Sequence, residues 1–361
     1  MPTKKIAIVH DWLTGMRGGE KCLEILCELF PDAPIYTLLH HKGAMSSIIE
    51  SKKIYTSFIQ KLPFIKNHYR SYLPLFPLAM EFFDFSEYDI VISTSHCVAK
   101  NAKVRKDAIH ICYCHTPMRY VWEMYHEYFG KGKANFFTRA IMLFLAPLLR
   151  WWDVKTSKRV HYYIANSENV RKRIQLYYNR EAAVIFPPVD MELFQLSTTN
   201  ENYYLIVSAL VPYKKVELAI QTFNHLKKNL IIVGKGPEEK KLRTIAGNTI
   251  EFLGWKSDKE LAQLYAKCKA LIFPGEEDFG IVPLEAMASG KPVIAFAKGG
   301  ALETVIEGKT GIFFAEQTPE ALAQAVLKSE TIQFSPEEIR NHALQFSKDN
   351  YKTLVMEYLS K

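Results

Sequence analysis

The chain has 361 residues, 48% of them hydrophobic and 23% charged, which excludes a disordered or fibrous polymer and calls for more than one core. Its net charge of +8 is uneven: residues 1–187 hold 26 Lys and Arg against 16 Asp and Glu, and residues 188–361 hold 20 against 22. The basic excess of the first part is either plain solubility charge or a face toward anionic lipid or nucleic acid.

In chain order, IAIVH (6–10) reads as a buried strand, followed by glycines at 15, 18 and 19 and a periodic helix from Glu20 to Phe30. Strand, glycine loop and helix open a nucleotide-binding α/β domain. IYTLL (35–39), YDIVISTSH (88–96) and AIHICYCHTP (108–117) read as further strands, the last ending in His115. Residues 45–85, rich in aromatics and broken by Pro63, Pro74 and Pro77, resist a simple parse. Residues 118–160 are aromatic, basic and helical in pattern. VHYYIANS (160–167) is a strand, with Asn166 or Ser167 capping ENVRKRIQLYY. AAVIFPPVD (182–190) ends at Pro187-Pro188, an interdomain joint.

The pattern then restarts. NYYLIVSAL, NLIIVGKGPE, TIEFLGW, ALIFP and PVIAF read as strands, and VELAIQTFNHL and DKELAQLYAKC as helices between them. A helix opens at Thr318-Pro319, and the tail from Ser335 holds one or two more. Strands alternate with helices throughout, which predicts two parallel-sheet α/β domains. No repeat or low-complexity segment interrupts them.

Six cysteines show no CxxC and no zinc-type spacing, so free thiols in a reducing cytoplasm are expected, with no secretory leader before IAIVH. No uncharged run reaches the roughly 18–20 residues that cross a bilayer. FFTRAIMLFLAPLLRWW (136–152) comes nearest, broken by Arg139 and Arg150. It reads either as a core helix or as an amphipathic segment lying in a membrane interface.

The chemistry concentrates in PGEEDFGIVPLEAMASGKPVIAFAKGG, residues 274–300. Pro283 suits the first turn of a helix and Gly290 its end. The loop before it then offers backbone N–H groups as an anion site. Glu277 stands before the loop and Glu285 follows with seven residues between them, in the first turn. Two carboxylates around an anion site suit a ligand with a phosphate between two polyols, a nucleotide sugar. A solvated loop acid and a helix-dipole acid account for the same two residues equally well.

The stretch EEDFGIVPLEAMASGKPVIAFAKGG resembles the E-x7-E signature of the retaining glycosyltransferases of family 4. HDWLTGMRGGEKCLE, CHTPMRYVW, VSALVPYKKVELAI, VGKGPE and FLGW fall where that family has such pieces. The similarity is greatest to bacterial mannosyltransferases that build O-antigen and exopolysaccharide from GDP-mannose. The resemblance implies the GT-B architecture: two Rossmann-like domains, residues 1–188 and 189–339, facing across a cleft, with a C-terminal helix (about 340–361) packed back on the first.

It also implies site roles. Glu277 would hold donor-sugar hydroxyls and Glu285 the ribose. The backbone of Phe279, Gly280, Ile281 and Val282 would meet sugar and diphosphate, and Lys214 would neutralise the diphosphate without a metal or other cofactor. Gly18 and Gly19 would let backbone approach the donor, and His115 would hydrogen-bond the donor sugar. The catalytic set is therefore Glu277, His115 and Lys214. Where many relatives carry an arginine this chain has Ala209, so Lys214, Lys215 or a basic residue of the first domain, with Arg17 a candidate, must supply the second charge. Asp11, Arg17, His96 and Arg119 are acceptor-side candidates, although a lone histidine is more often structural, as His96 and His110 can be.

The implied reaction moves mannose with retention to a polyprenyl-diphosphate-linked glycan, by a protein peripheral to the inner face of the plasma membrane. Rival readings are a UDP-sugar or GDP-deoxysugar donor, an epimerase or phosphorylase of the same fold, and a non-catalytic nucleotide-sugar-binding protein on the membrane. No recognition helix or stacking motif points to nucleic acid.

Overall fold

The computed structural model describes residues 4–130, 132 and 135–360. They form two compact units, the first ending at Phe186 and the second beginning at Pro187.

The first unit is built on seven parallel strands: β1 (Ile6–His10), β2 (Ile35–Thr37), β3 (Ile54–Thr56), β4 (Ile90–Ser95), β5 (Ile109–Cys114), β6 (Tyr162–Ala165) and β7 (Ala182–Val184). Their order is β3-β2-β1-β4-β5-β6-β7, with Ile8 paired to both Ile35 and Ile92. The strands are near-continuous apolar runs because both faces of a parallel sheet are covered. One core cluster gathers Ala7, Val9, Trp12, Phe76, Val91 and Leu149. The order reverses between β1 and β4, so the C-terminal ends of these strands flank a crevice where α/β sheets bind ligands.

The helix Gly18–Leu29 follows β1 and buries Cys22, Leu23, Ile25, Leu26 and Cys27 along one face. It starts two residues earlier than its periodicity indicates, so Gly18 and Gly19 form its first turn. The unparsed 45–85 region is a string of short turns, including a 3-10 segment Tyr69–Leu75 around Pro74, and it hides strand β3. Helix Phe136–Ser157 runs 22 residues, started by Asn135, whose side chain accepts from the Thr138 N–H. Ser167 caps helix Glu168–Tyr178, and Asn179 stops it in the left-handed region at φ 50°.

The second unit has six parallel strands: β8 (Tyr204–Val207), β9 (Leu230–Val233), β10 (Ile250–Gly254), β11 (Leu271–Phe273), β12 (Val293–Phe296) and β13 (Gly311–Phe314). Their order is β10-β9-β8-β11-β12-β13, reversing between β8 and β11. Leu205, Ile232, Ile272, Ile294 and Ile312 lie at the sheet's centre, fully or almost fully buried. Helices Val216–Leu226, Asp258–Lys267 and Ile281–Ala288 connect strands, and Pro319–Glu330 follows the last of them. Serines and a threonine cap four later helices: Ser257, Thr318, Ser335 and Ser347 each accept from an N–H in the first turn. The two C-terminal helices, Pro336–Leu344 and Lys348–Leu359, belong to this unit's stretch of chain. There the Val189 N–H donates to Phe346 O at 2.8 Å, and Lys348 pairs with Asp190 at 2.6 Å.

Candidate functional site

In the second unit, chemistry gathers at the switch point between β8 and β11. The chain leaving β8 turns through a short 3-10 helix, Pro212–Lys214, and Lys215 takes the left-handed conformation at φ 54° to start helix Val216–Leu226. The chain leaving β11 passes Gly275. A Cβ there would stand 3.0 Å from both Lys214 Cα and Tyr213 O, tighter than ordinary contact, so a glycine lets the two loops meet. The result is an ion pair between Lys214 and Glu277, both only partly exposed. Lys215 and Ala209 face solvent nearby in sequence.

Beyond Glu277, Gly280 takes φ 87° and opens helix Ile281–Ala288. The N–H groups of this first turn lack intrahelical acceptors by geometry and point out of the helix start, where the macrodipole favours an anion. Phe279 is buried, and Ile281 and Val282 are half-buried. Glu285, expected in the first turn, is the fifth helical residue and lies in the second, because the helix begins at Ile281 rather than at Pro283. Its carboxylate is buried and accepts from Tyr265 Oη at 2.9 Å. Burial, and then the Glu285 charge, push the Tyr265 phenol far up, so it stays a donor. Tyr265 reads as a core aromatic in the sequence; only its fixed distance from Glu285 reveals its role. Gly300 completes the corner: its N–H donates to Glu277 O at 2.9 Å. A cation, a carboxylate and a helix start at one switch point can receive an anion flanked by hydroxyls.

The first unit carries its own cluster, at the ends of β1, β4 and β5. His115 follows β5 directly; its N–H donates to Ser95 O, and its Nε2 lies 2.8 Å from Thr94 Oγ1. A Cβ on Gly19 would touch that ring nitrogen at 3.4 Å, so the start of helix Gly18–Leu29 packs on the imidazole. Burial, reinforced by His96 and His10, pushes His115 down to about 3, which leaves it neutral at pH 7. It is therefore a hydrogen-bonding group and not a cation.

Asp11, expected at the acceptor, is fully buried and accepts four backbone N–H bonds, from His96, Cys97, Val98 and Ala99, at 2.6 to 2.9 Å. Burial alone would raise its pKa. His96, His10 and these amides outweigh that and hold it below the usual carboxylate range. Its role in the fold is to tie β1 to the turn after β4. His96 stands on that turn with Nδ1 3.2 Å from Asp11 Oδ2, its side chain 27% exposed and pushed down to about 4 by burial. Arg17 directs its side chain to solvent, while its N–H donates to Glu20 Oε2 at 3.1 Å. Glu20 in turn lies 3.6 Å from His10. Neither His10 nor Glu20 stands out in the sequence, where each looks like an ordinary strand or helix residue. Arg119 is half-buried on the segment after β5.

Comparison with known proteins covers both units. The model described as Glycosyltransferase Family 4 matches residues 26–193, and the model described as Glycosyl transferases group 1 matches residues 192–346. An uncharacterized glycosyltransferase of Methanocaldococcus jannaschii, MJ1178, is 32% identical over 170 residues, 46% of this chain and 48% of its own. The O-antigen chain mannosyltransferase RfbU of Salmonella typhimurium is 28% identical over 216 residues, 56% of this chain and 61% of its own. Both matches therefore span less than two thirds of the relative. The structure of Anabaena Alr3699/HepE in complex with UDP superposes with a TM-score of 0.73 at 19% identity, over 99% of each chain.

Proposed function

We infer, for a chain that belongs to glycosyltransferase family 4 and has the GT-B fold, that it transfers a hexose from a nucleotide sugar to an acceptor hydroxyl, with the donor on its second unit. The observation that carries this reading is the Lys214–Glu277 pair at the β8/β11 switch point, beside the start of helix Ile281–Ala288. The two charges neutralise each other while no ligand is bound. A diphosphate draws the ammonium and the helix N–H groups, and the freed carboxylate accepts from sugar hydroxyls.

In finer detail, the donor is GDP-mannose and the acceptor a polyprenyl-diphosphate-linked glycan at the inner face of the plasma membrane. The E-x7-E stretch and the similarity to RfbU support this choice. The sugar is transferred with retention. The acceptor oxygen attacks the anomeric carbon on the face that the diphosphate leaves. The departing diphosphate oxygen takes the acceptor proton, and Lys214 stabilises the charge that develops, so no metal ion is required. Neutral His115 and Glu277 position the donor rather than exchange protons.

The test combines a donor panel with one variant. GDP-mannose is expected to raise the thermal midpoint more than UDP-glucose, UDP-GlcNAc or a GDP-deoxysugar. Glu277→Ala is expected to lose transfer by about 100-fold or more while unfolding near the wild-type midpoint. Near wild-type turnover by that variant would sink the site assignment. A stronger response to a UDP-sugar would replace the donor, and a β linkage in the product would refute retention.

A further inference from the structure

The helix Phe136–Ser157 has two apolar faces, and among the described residues only one is packed against protein. At 100° per residue, Phe137, Ile141, Phe144, Leu148 and Trp151 fall within an arc of about 80°. All five are between 59% and 77% exposed. The opposite side, Met142, Ala146, Leu149 and Asp153, is buried. Met142, Ala146 and Leu149 join the core cluster. Asp153 is held there by Lys100 at 2.9 Å, Trp122 Nε1 at 2.9 Å and Tyr178 Oη at 2.7 Å. The exposed stripe is therefore not the misplaced core face of a loose helix. The core face is clamped by a buried ion pair, and the second face is presented outward over about 21 Å.

We propose that this stripe is a docking surface for an anionic lipid bilayer, with the helix lying in the plane of the interface. Three observations choose that occupant. First, the arrangement is a narrow apolar stripe that ends in exposed cations, a form suited to an interfacial helix. Lys155 continues the stripe one turn beyond Trp151 and sits 4.7 Å from the indole centroid. Arg139 and Arg150 fall about 160° and 140° from the stripe's centre, on the protein-facing side, where Arg150 donates to Val121 O, and the helix's single acid, Asp153, is buried and paired. The charge beside the stripe is carried by Lys155 and, just past the helix end, Lys158, both exposed, and it is complementary to anionic headgroups. Second, among the described residues no helix is long and apolar enough to cross a membrane. The clamped core face keeps this one at the surface. Third, a second copy is a poor occupant. Residues 1–187 hold 26 basic against 16 acidic residues, so pairing two such surfaces sets like charge against like.

The inference is independent of the donor assignment, and its test uses neither donor nor acceptor. The full chain is mixed with vesicles of phosphatidylcholine, with or without phosphatidylglycerol, and bound protein is separated by flotation. Binding is expected with phosphatidylglycerol, to be weakened by salt, and to be much lower without it. Phe144→Ser/Leu148→Ser is expected to bind at least about tenfold more weakly, since two interfacial side chains are lost. Both positions face solvent, so its unfolding midpoint is expected to stay at the wild-type value. Trp151 emission, isolated by subtracting Trp151→Phe, is expected to shift to the blue on binding. Absence of flotation by the wild type, or equal flotation by the double variant, overturns the proposal. So does a lipid-free dimer that the double variant abolishes, which would make a second copy the occupant.

Discussion

At the scale of single residues, the first unit is built around groups whose protonation is shifted by burial and by their neighbours. Burial pushes His115 and His110 down to about 3 and His96 to about 4. Unfolded histidine titrates near 6.5. Below that pH the unfolded chain binds protons that the folded one refuses, so stability falls as pH falls from 6.5 toward these values. Each fully engaged histidine contributes a slope of about 1.4 kcal/mol per pH unit, with less from the partly exposed His96. Asp11 and Glu20 have carboxyls held below their ordinary values. Their stabilisation is present above the unfolded carboxylate pKa and is lost as pH drops through the folded one, so it acts in the same direction at lower pH. The urea midpoint read from first-unit probes is therefore expected to fall steadily between pH 6.5 and 4.5. A flat midpoint would mean that these histidines take up protons inside the fold. Much of this site could be read from the sequence by type and position: His115 at a strand end, and Lys214, Glu277 and Glu285 by their place in family motifs. Their partners could not. Asp11 binds a turn that is 85 residues away in sequence at His96, and nothing local to either segment announces it.

At the scale of elements, legibility followed length and periodicity. VELAIQTFNHL is a helix over the same eleven residues, because its apolar positions repeat with the helical period and bury Val216, Ala219, Ile220 and Phe223. Strands β3 and β13, of three and four residues, are too short to show a period, and helix Glu239–Ile245 is too charged to show an apolar face. Helix Phe136–Ser157 is apolar on two sides, which no single periodicity distinguishes from an ordinary core helix. The start of helix Ile281–Ala288 depends on one residue. Gly280 sits at φ 87°, and a Cβ there would lie 2.8 Å from Phe273 Cζ, inside the packed end of β11. Gly280→Ala combines left-handed strain with overpacking, and a cost of roughly 2–4 kcal/mol follows. In a unit of this size that corresponds to a thermal midpoint lower by about 5–10 °C. A shift under a degree would show that the turn relaxes easily and that the helix start is not rigidly placed.

At the scale of the whole molecule, the alternation of strands and helices already implied two parallel sheets, because consecutive parallel strands need a crossover between them. The switch points follow from strand order, which only the structure supplies, and they explain why chemistry collects after β1, β4 and β5 in one unit and after β8 and β11 in the other. Charge is distributed the opposite way from the proposed donor site. Residues 188–361 carry 20 basic against 22 acidic residues, so no general field draws a nucleotide there. Recognition must be local, through Lys214 and the helix start, and a largely enclosed ammonium is screened less by salt than a surface field. The positive first unit can attract the same anion, but only diffusely. Hydrogen exchange separates the two. At about 100 times its Kd, GDP stabilises the unit that binds it by about 2.7 kcal/mol, which slows globally exchanging amides about 100-fold. That slowing is expected in β8, β11 and β12, to persist in high salt, and to vanish in Lys214→Ala. Comparable slowing in β1, β4 and β5 that disappears with salt would instead assign the nucleotide to the basic unit and overturn the placement of the donor.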